Sequence, residues 1–228
     1  MTTSIFCGDS SDEVYILSGS RTPIGSYMGK LATVSAPNLA GFAIADALSK
    51  SQLSPESVNE LFIGEVLSTG VGQAPARQAA LCAKLPPTIP CTTVNKVCGS
   101  GLKSIILGVQ SIISGESEVV VAGGMENMSQ APHFLPGSRG GMKFGEATLK
   151  DSMQWDGLWD VYSNTSMGVV AEQCVKKFGF TREQQDQFAI TSFKRAQAAI
   201  KEGIFNSEIC AVTIADKTGK TAGNIINE

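Results

Sequence analysis

The sequence predicts an α/β fold, with a mostly parallel sheet and helices on both of its faces. Three features carry that expectation. Val14-Tyr15-Ile16-Leu17, Leu61-Phe62-Ile63 and Val119-Val120-Val121-Ala122 are short, continuous apolar runs of strand length. Between them lie stretches whose apolar residues recur at spacings of three and four. Glycine and proline mark most joints between the two kinds of stretch.

The first run, ending at Ser18, reads as a strand covered on both faces. Gly19-Ser20-Arg21-Thr22-Pro23-Ile24-Gly25 follows as a structural turn. Residues 38–50 read as a helix, with Leu39, Phe42, Ala43 and Ala47 on one side. A second strand is expected over 61–67 and an alanine-rich helix over 76–84. The loop between them is rich in glycine, but Gly70-x-Gly72 lacks a third glycine and a following lysine, so it is not read as a phosphate cradle. Leu85-Pro86-Pro87-Thr88-Ile89-Pro90 is a stiff connector, because proline cannot join a helix interior.

That connector leads into the stretch where the chemistry is expected. Thr92, Thr93 and Val94 are β-formers, and from Leu102 the pattern turns helical through Ile105, Ile106, Val109, Ile112 and Ile113. The chain must turn sharply near Cys98, with Gly99 and Gly101 letting backbone approach closely. The first N–H groups of a helix lack intrahelical partners and point back toward such a residue. With the helix dipole they favour the thiolate, the nucleophilic form, by about 0.3–1 kcal/mol when exposed and up to ~2 when partly buried. Cys98 is therefore a candidate covalent nucleophile. Gly115 is expected to stop this helix, and residues 119–122 to form the next strand, ending in Gly123-Gly124. Sites in such sheets gather outside the carboxyl ends of strands, where Cys98 and the loop after Gly124 both fall.

After Ser129 the composition shifts. Residues 131–150 are rich in Gly, Pro, Met and Arg with little periodicity, which places a domain boundary near 125–130. Gly157-Leu158-Trp159-Asp160-Val161-Tyr162 adds aromatics, and helices are expected over 167–178 and 181–203. Thr181-Arg182-Glu183-Gln184 is a capping box, followed by Ala189, Phe193, Ala196 and Ile200 along one face, with Gly203 closing the helix.

Composition narrows the function. The 228 residues carry 18 basic and 21 acidic side chains, a net charge of −3, and no basic run, which argues against nucleic acid as a partner. The longest apolar runs are far too short to span a membrane. Six cysteines (7, 82, 91, 98, 174 and 210) show no C-x-x-C pairing and only one histidine, His133, is present, so neither a metal site nor a disulfide framework is expected. The polar, acidic opening has no signal-peptide pattern and the last residues no peroxisomal tripeptide; a cytoplasmic location is the expectation.

Asn95-Lys96-Val97-Cys98-Gly99-Ser100-Gly101-Leu102-Lys103 resembles the nucleophile motif of the thiolases. Gly123-Gly124-Met125-Glu126-Asn127-Met128-Ser129 resembles their second signature, and Gly72-Gln73-Ala74-Pro75-Ala76-Arg77-Gln78 stands upstream in family order, where the resemblance implies that Gln73 and Arg77 organise structure rather than bind phosphate. The resemblance is closest to the acetyl-CoA acetyltransferase branch and extends over nearly the whole chain. It implies a layered α-β-α half over residues 1–124, incomplete at its last strand, with an inserted, mainly helical loop domain over 125–228 that covers the active site and grips coenzyme A. It further implies that Leu158 and Met167 contact the pantetheine. Ser166 stands where many relatives carry a histidine, and Lys217 aligns loosely with a basic residue near the nucleotide.

The activity so implied is a ping-pong transfer in which Cys98 takes the acetyl group of one acetyl-CoA and a second acetyl-CoA gives acetoacetyl-CoA. No metal or redox cofactor is implied; coenzyme A enters as part of the substrate, and a homo-oligomer, a dimer or tetramer, is expected. The family's Gly-His-Pro, Cys-x-Gly and Asn-Glu-Ala-Phe motifs, which supply the remaining catalytic groups, do not occur in the chain. It therefore reads as the front portion of a thiolase, inactive alone. A 3-ketoacyl-CoA thiolase of longer chain length and a non-catalytic oligomerisation partner remain open alternatives.

Overall fold

The computed structural model describes residues 2–8, 13–214 and 224–226. Its main sheet has five strands: β1 (Thr2–Gly8), β2 (Val14–Arg21), β3 (Glu60–Gly64), β4 (Cys91–Val94) and β5 (Val119–Gly124), in the order β2-β1-β5-β3-β4. The helices between them are α1 (Ala36–Ser51), α2 (Pro75–Cys82) and α3 (Ser100–Ile113). Two faces of the sheet are dressed separately. α1 and α2 bury Ala40, Ile44, Ala47, Ala76 and Ala79 against Leu61, Ile63 and Val121. On the other face α3 lays Ile105 and Ile112 over Phe62, Val120 and Ala122. This is the expected α-β-α layering.

The sheet is more mixed than the alternation of elements predicts. β3 runs parallel to β4 (Ile63↔Thr93) and to β5 (Leu61↔Val121), but β1 is antiparallel to both β2 and β5 (Ile5↔Val121). The polar opening of the chain thus supplies an inner strand. β2 is left at the edge, so its apolar run is not covered on both faces as expected: Tyr15, Ile16 and Leu17 are exposed. Opposite Ile5 and Phe6 the register jumps from Ser18 to Ile16, making Leu17 the extra residue of a bulge, a common feature of edges.

Local chemistry accounts for the helix starts. Ser35 caps α1 by accepting from Asn38 N–H, with Pro37 in the first turn. Thr181 and Gln184 close a reciprocal capping box on α5 (Arg182–Lys201), as the sequence predicts. α3 approaches β5 through small residues. Ser104 is buried and donates to Gly101 O and Gly123 O, and a Cβ at Gly108 would lie 3.0 Å from Val120 Cγ1. The cost of that close approach is a bare outer face, with Leu102, Ile106 and Ile113 in solvent.

Beyond β5 lie two short antiparallel pairs, β6 (His133–Phe134) with β7 (Lys150–Asp151) and β8 (Trp159–Asp160) with β9 (Thr165–Ser166), then α4 (Met167–Phe178) and α5. The face of α5 that carries Phe193 and Ile200 is exposed rather than buried. The chain then returns to the core. Val212 of β10 (Val212–Ile214), which pairs with β11 (Asn224–Ile226), is fully buried beside Leu31, Val34 and Leu39. Arg21 anchors this return: its Nε lies 2.5 Å from Glu208 Oε1, its N–H donates to Glu208 O, its carbonyl accepts from Cys210 N–H, and its guanidinium sits over Phe205. The loop expected from Gly19 therefore starts only at Thr22: Gly19, Ser20 and Arg21 belong to β2, because pairing with β1 and with the returning chain holds them extended.

Candidate active site

β4 ends at Val94, and α3 begins only six residues later. The link is a knot of short-range hydrogen bonds. Asn95 Oδ1 accepts from Val97 N–H at 2.9 Å, the Ser100 hydroxyl accepts from Lys96 N–H at 2.8 Å, and the same hydroxyl donates to Val97 O at 2.6 Å. Inside this knot Val97 is held at φ +48°, a left-handed conformation that a β-branched residue adopts only under strain, at a cost of about 1–3 kcal/mol. The consequence is presentation. Cys98 stands exposed as a free thiol immediately ahead of Gly99, the N-cap of α3, at the positive end of the helix dipole. An accessible thiol in that place can attack an electrophilic carbonyl.

The floor under the turn is the end of β3. A Cβ on Gly64 would lie 2.4 Å from Ser100 C and 2.6 Å from Gly101 N, so only glycine lets the first turn of α3 rest there. Gly64 O accepts from Met125 N–H, and the Glu126 carboxylate accepts from Val66 N–H at 2.9 Å and Leu67 N–H at 3.1 Å. Asn95 Nδ2 donates to Val66 O. The strand expected to reach Leu67 stops at Gly64, because residues 65–67 turn to meet the nucleophile loop and the Met125-Glu126 loop. Asn127 holds the latter in place by donating to Val34 O at 2.6 Å.

Two carboxyl groups of this floor were not singled out in the sequence. Glu65 is 1% exposed, and among the described residues neither of its side-chain oxygens has a hydrogen-bond partner. Burial, and then the charge of Glu126, push its carboxyl up to about 7. Burial also raises Glu126, while its bonds from Val66 and Leu67 N–H oppose the rise. The signal that marks Glu65 is a charge interrupting the apolar run Leu61-Phe62-Ile63-Gly64-Glu65-Val66-Leu67.

A stability prediction follows from Glu65. An acid raised from 4.5 to about 7 keeps its proton in the folded state after the unfolded chain has lost it. Stability therefore falls as pH rises through that window and the penalty is complete above it. Glu65→Gln, a neutral isostere, is expected to stabilise the chain above pH 7 by about 1–3 kcal/mol and to make little difference below pH 4.5. Denaturant unfolding of both proteins at pH 5 and pH 8 checks this; equal midpoints at pH 8 would contradict it.

Of the other expected site residues, Leu158, Ser166 and Met167 come together on the β8–β9 pair. Met167 N–H donates to Leu158 O at 2.9 Å, and Ser166 pairs with Trp159. Leu158 and Met167 are each partly exposed, at 38% and 41%. This group touches the floor of the Cys98 turn through the single π-helical turn Met153–Gly157. A Cβ on Gly157 would lie 3.3 Å from Leu67 Cδ2, and Thr69 Oγ1 donates to Asp156 Oδ2 at 3.4 Å. Lys217 lies outside the described residues. His133 sits in β6 opposite Asp151, at the surface. Among the described residues no cluster of three or more His, Cys, Asp or Glu side chains is placed to hold a metal, and no helix is long and apolar enough to cross a membrane.

The family described as "Thiolase, N-terminal domain" matches residues 14–228. An acetyl-CoA acetyltransferase of Cupriavidus necator is 50% identical over 207 residues, which are 91% of this chain and 53% of that protein. One from Candida albicans is 53% identical over 208 residues, 91% of this chain and 52% of the relative. The chain thus spans about half the length of the curated relatives it matches. Among solved structures, the Acat5 thiolase of Ascaris suum in complex with coenzyme A matches with a TM-score of 0.83 and 41% identity, over 92% of this chain and 52% of that one. A match that extends from β2 through the Cys98 turn and on past α5 shows that this chain belongs to the thiolase family.

Proposed function

We propose that this chain is the nucleophile-bearing part of an acetyl-CoA acetyltransferase, in which Cys98 takes an acetyl group from acetyl-CoA as a thioester and passes it on to give acetoacetyl-CoA. The observation that carries the reading is the strained turn at Val97, which sets an exposed thiol at the start of α3. The names of the relatives and the coenzyme A bound by the Ascaris suum protein support the choice of substrate. In the proposed arrangement residues 1–124 form the catalytic core and 125–228 the loop domain. Leu158, Ser166 and Met167 line the path of the pantetheine, and Lys217 stands near the nucleotide. Coenzyme A is a substrate moiety here, and no separate cofactor is invoked. The free thiols of Cys82, Cys91, Cys98, Cys174 and Cys210 suit a reducing compartment such as the cytoplasm.

In chemical terms the Cys98 sulfur attacks the acetyl carbonyl, the carbon–sulfur bond to coenzyme A breaks, and coenzyme A leaves as its thiol. For these 228 residues by themselves the expected result is acylation without turnover. A general acid or base contributes about 10²–10⁴-fold, and a helix dipole worth at most ~2 kcal/mol does not replace one. Intact-mass measurement after incubation with acetyl-CoA is the test. A single acetyl adduct that maps to Cys98 supports the reading, and an adduct elsewhere, or none in the folded chain, contradicts it.

The bare face of α3 further supports a homo-oligomer, because Leu102, Ile106 and Ile113, spaced to fall on one side of the helix, are all in solvent. Light scattering at micromolar concentration is expected to show more than one chain per particle. A monodisperse monomer would remove this part of the proposal.

A further inference from the structure

The Glu65 carboxyl is the least satisfied polar group in the described part of the molecule, and its place gives that fact a consequence. Its N–H donates to Val94 O at 3.0 Å, at the last residue of the strand that enters the Cys98 turn. The residue before it, Gly64, is in backbone contact with the first turn of α3. The residues after it, Val66 and Leu67, are held by Glu126, and Leu67 touches Gly157 of the segment that leads to Leu158. Both Glu65 oxygens are buried and, among the described residues, unbonded.

We propose that Glu65 is a positioning residue for the Cys98 turn: uncharged it stays buried and keeps closed the seam where the end of β3 meets β4 at the entry to that turn, and charged it opens the seam and loosens the turn. The inference rests on the reading of Cys98 as the nucleophile for its catalytic consequence, though not for its structural one. An unpaired carboxylate is too poorly solvated to remain in a dry seam, so the seam must admit water or open when the proton is lost. Of the two carboxyl groups Glu65 is the one that takes the proton. Glu126 has two backbone N–H donors that stabilise its charged form, and Glu65 has none. Glu126 is also the charged group that acts on Glu65 from the neighbouring elements. Arg77 on α2 is engaged with Pro87 O, and Lys96 stands in solvent. Because Glu65 titrates at about 7, opening falls within the neutral range.

Hydrogen exchange of the full chain tests this, read as protection factors for peptides spanning residues 64–68 and 92–100 between pH 6 and pH 8.5. Wild-type protection is expected to fall at least about tenfold across that range, one pKa unit of opening free energy, with a midpoint near 7. Glu65→Gln should hold the pH 6 protection throughout. Glu126→Gln should keep the fall but move its midpoint to lower pH, because the opposing charge is gone. Flat wild-type protection, a midpoint far from neutral, or a Glu65→Gln protein with the wild-type response would each overturn the inference; the wild-type titration decides it even if neither variant folds. Acetylation of Cys98 is scored on the same samples. Loss of protection at high pH without any adduct supports the seam and removes the nucleophile; an adduct with flat protection does the reverse.

Discussion

Replacing Cys98 by serine is expected to abolish the acetyl adduct while leaving the fold intact. The thiol is exposed and outside every buried cluster, so the exchange of sulfur for oxygen removes no packing and should shift stability by no more than about 0.5 kcal/mol. Reactivity should drop by at least about a hundredfold, because an alkoxide is far harder to generate at neutral pH than a thiolate. The same thiol should lead in alkylation by iodoacetamide. Burial pushes the Cys82, Cys91 and Cys210 thiols up, so each presents less thiolate at neutral pH. Peptide mapping after brief labelling gives the order directly. Equal rates at Cys98 and at buried Cys210 would contradict the assignment, as would an adduct that survives in Cys98→Ser.

The largest structural effect is expected from a single added methyl group. Gly64→Ala places Cβ 2.4 Å from Ser100 C and 2.6 Å from both Ser100 O and Gly101 N. These are backbone atoms of the first turn of α3, so no side-chain rotation relieves the clash. The helix start must move, and with it the hydrogen bonds of the Ser100 hydroxyl that hold Val97 in its left-handed conformation. A destabilisation of about 3 kcal/mol or more is expected, at the upper end of overpacking costs. Gly140→Ala is the control, since nothing lies within 4 Å of its Cβ position, and it should change stability by less than about 0.5 kcal/mol. Denaturant midpoints of the two variants make the comparison. Similar midpoints would mean that α3 does not rest on β3 as described.

Much of the fold was legible because its causes are local. The capping box of α5 joins residues three apart, Thr181 and Gln184, and it forms where the sequence places it. The periodicity of α3 identifies the helix, and the glycines and prolines around it mark its ends. Which face of α3 meets the sheet was not legible. Its apolar residues run most of the way around, and the contact with β5 is made through Ser104 and Gly108, whose value lies in being small. Strand order was equally hidden. A polar opening reveals nothing of pairing with a strand more than a hundred residues away, yet β1 sits between β2 and β5 and leaves Ile16 in solvent.

The candidate site divides along the same line. Cys98, Gly99 and Gly101 announce a strand-to-helix turn within ten residues, and the motif around them carries the family resemblance. That much the sequence determined by itself, because turn geometry and helix starts depend on neighbours in the chain. The tertiary structure alone decided that Gly64 is the floor of that turn, that Glu126 holds Val66 and Leu67 from sixty residues away, and that Glu65 is left buried without a partner. The physical reason is burial. Whether a carboxylate is solvated or stranded, and whether a glycine is incidental or indispensable, depends on what packs against it from distant parts of the chain.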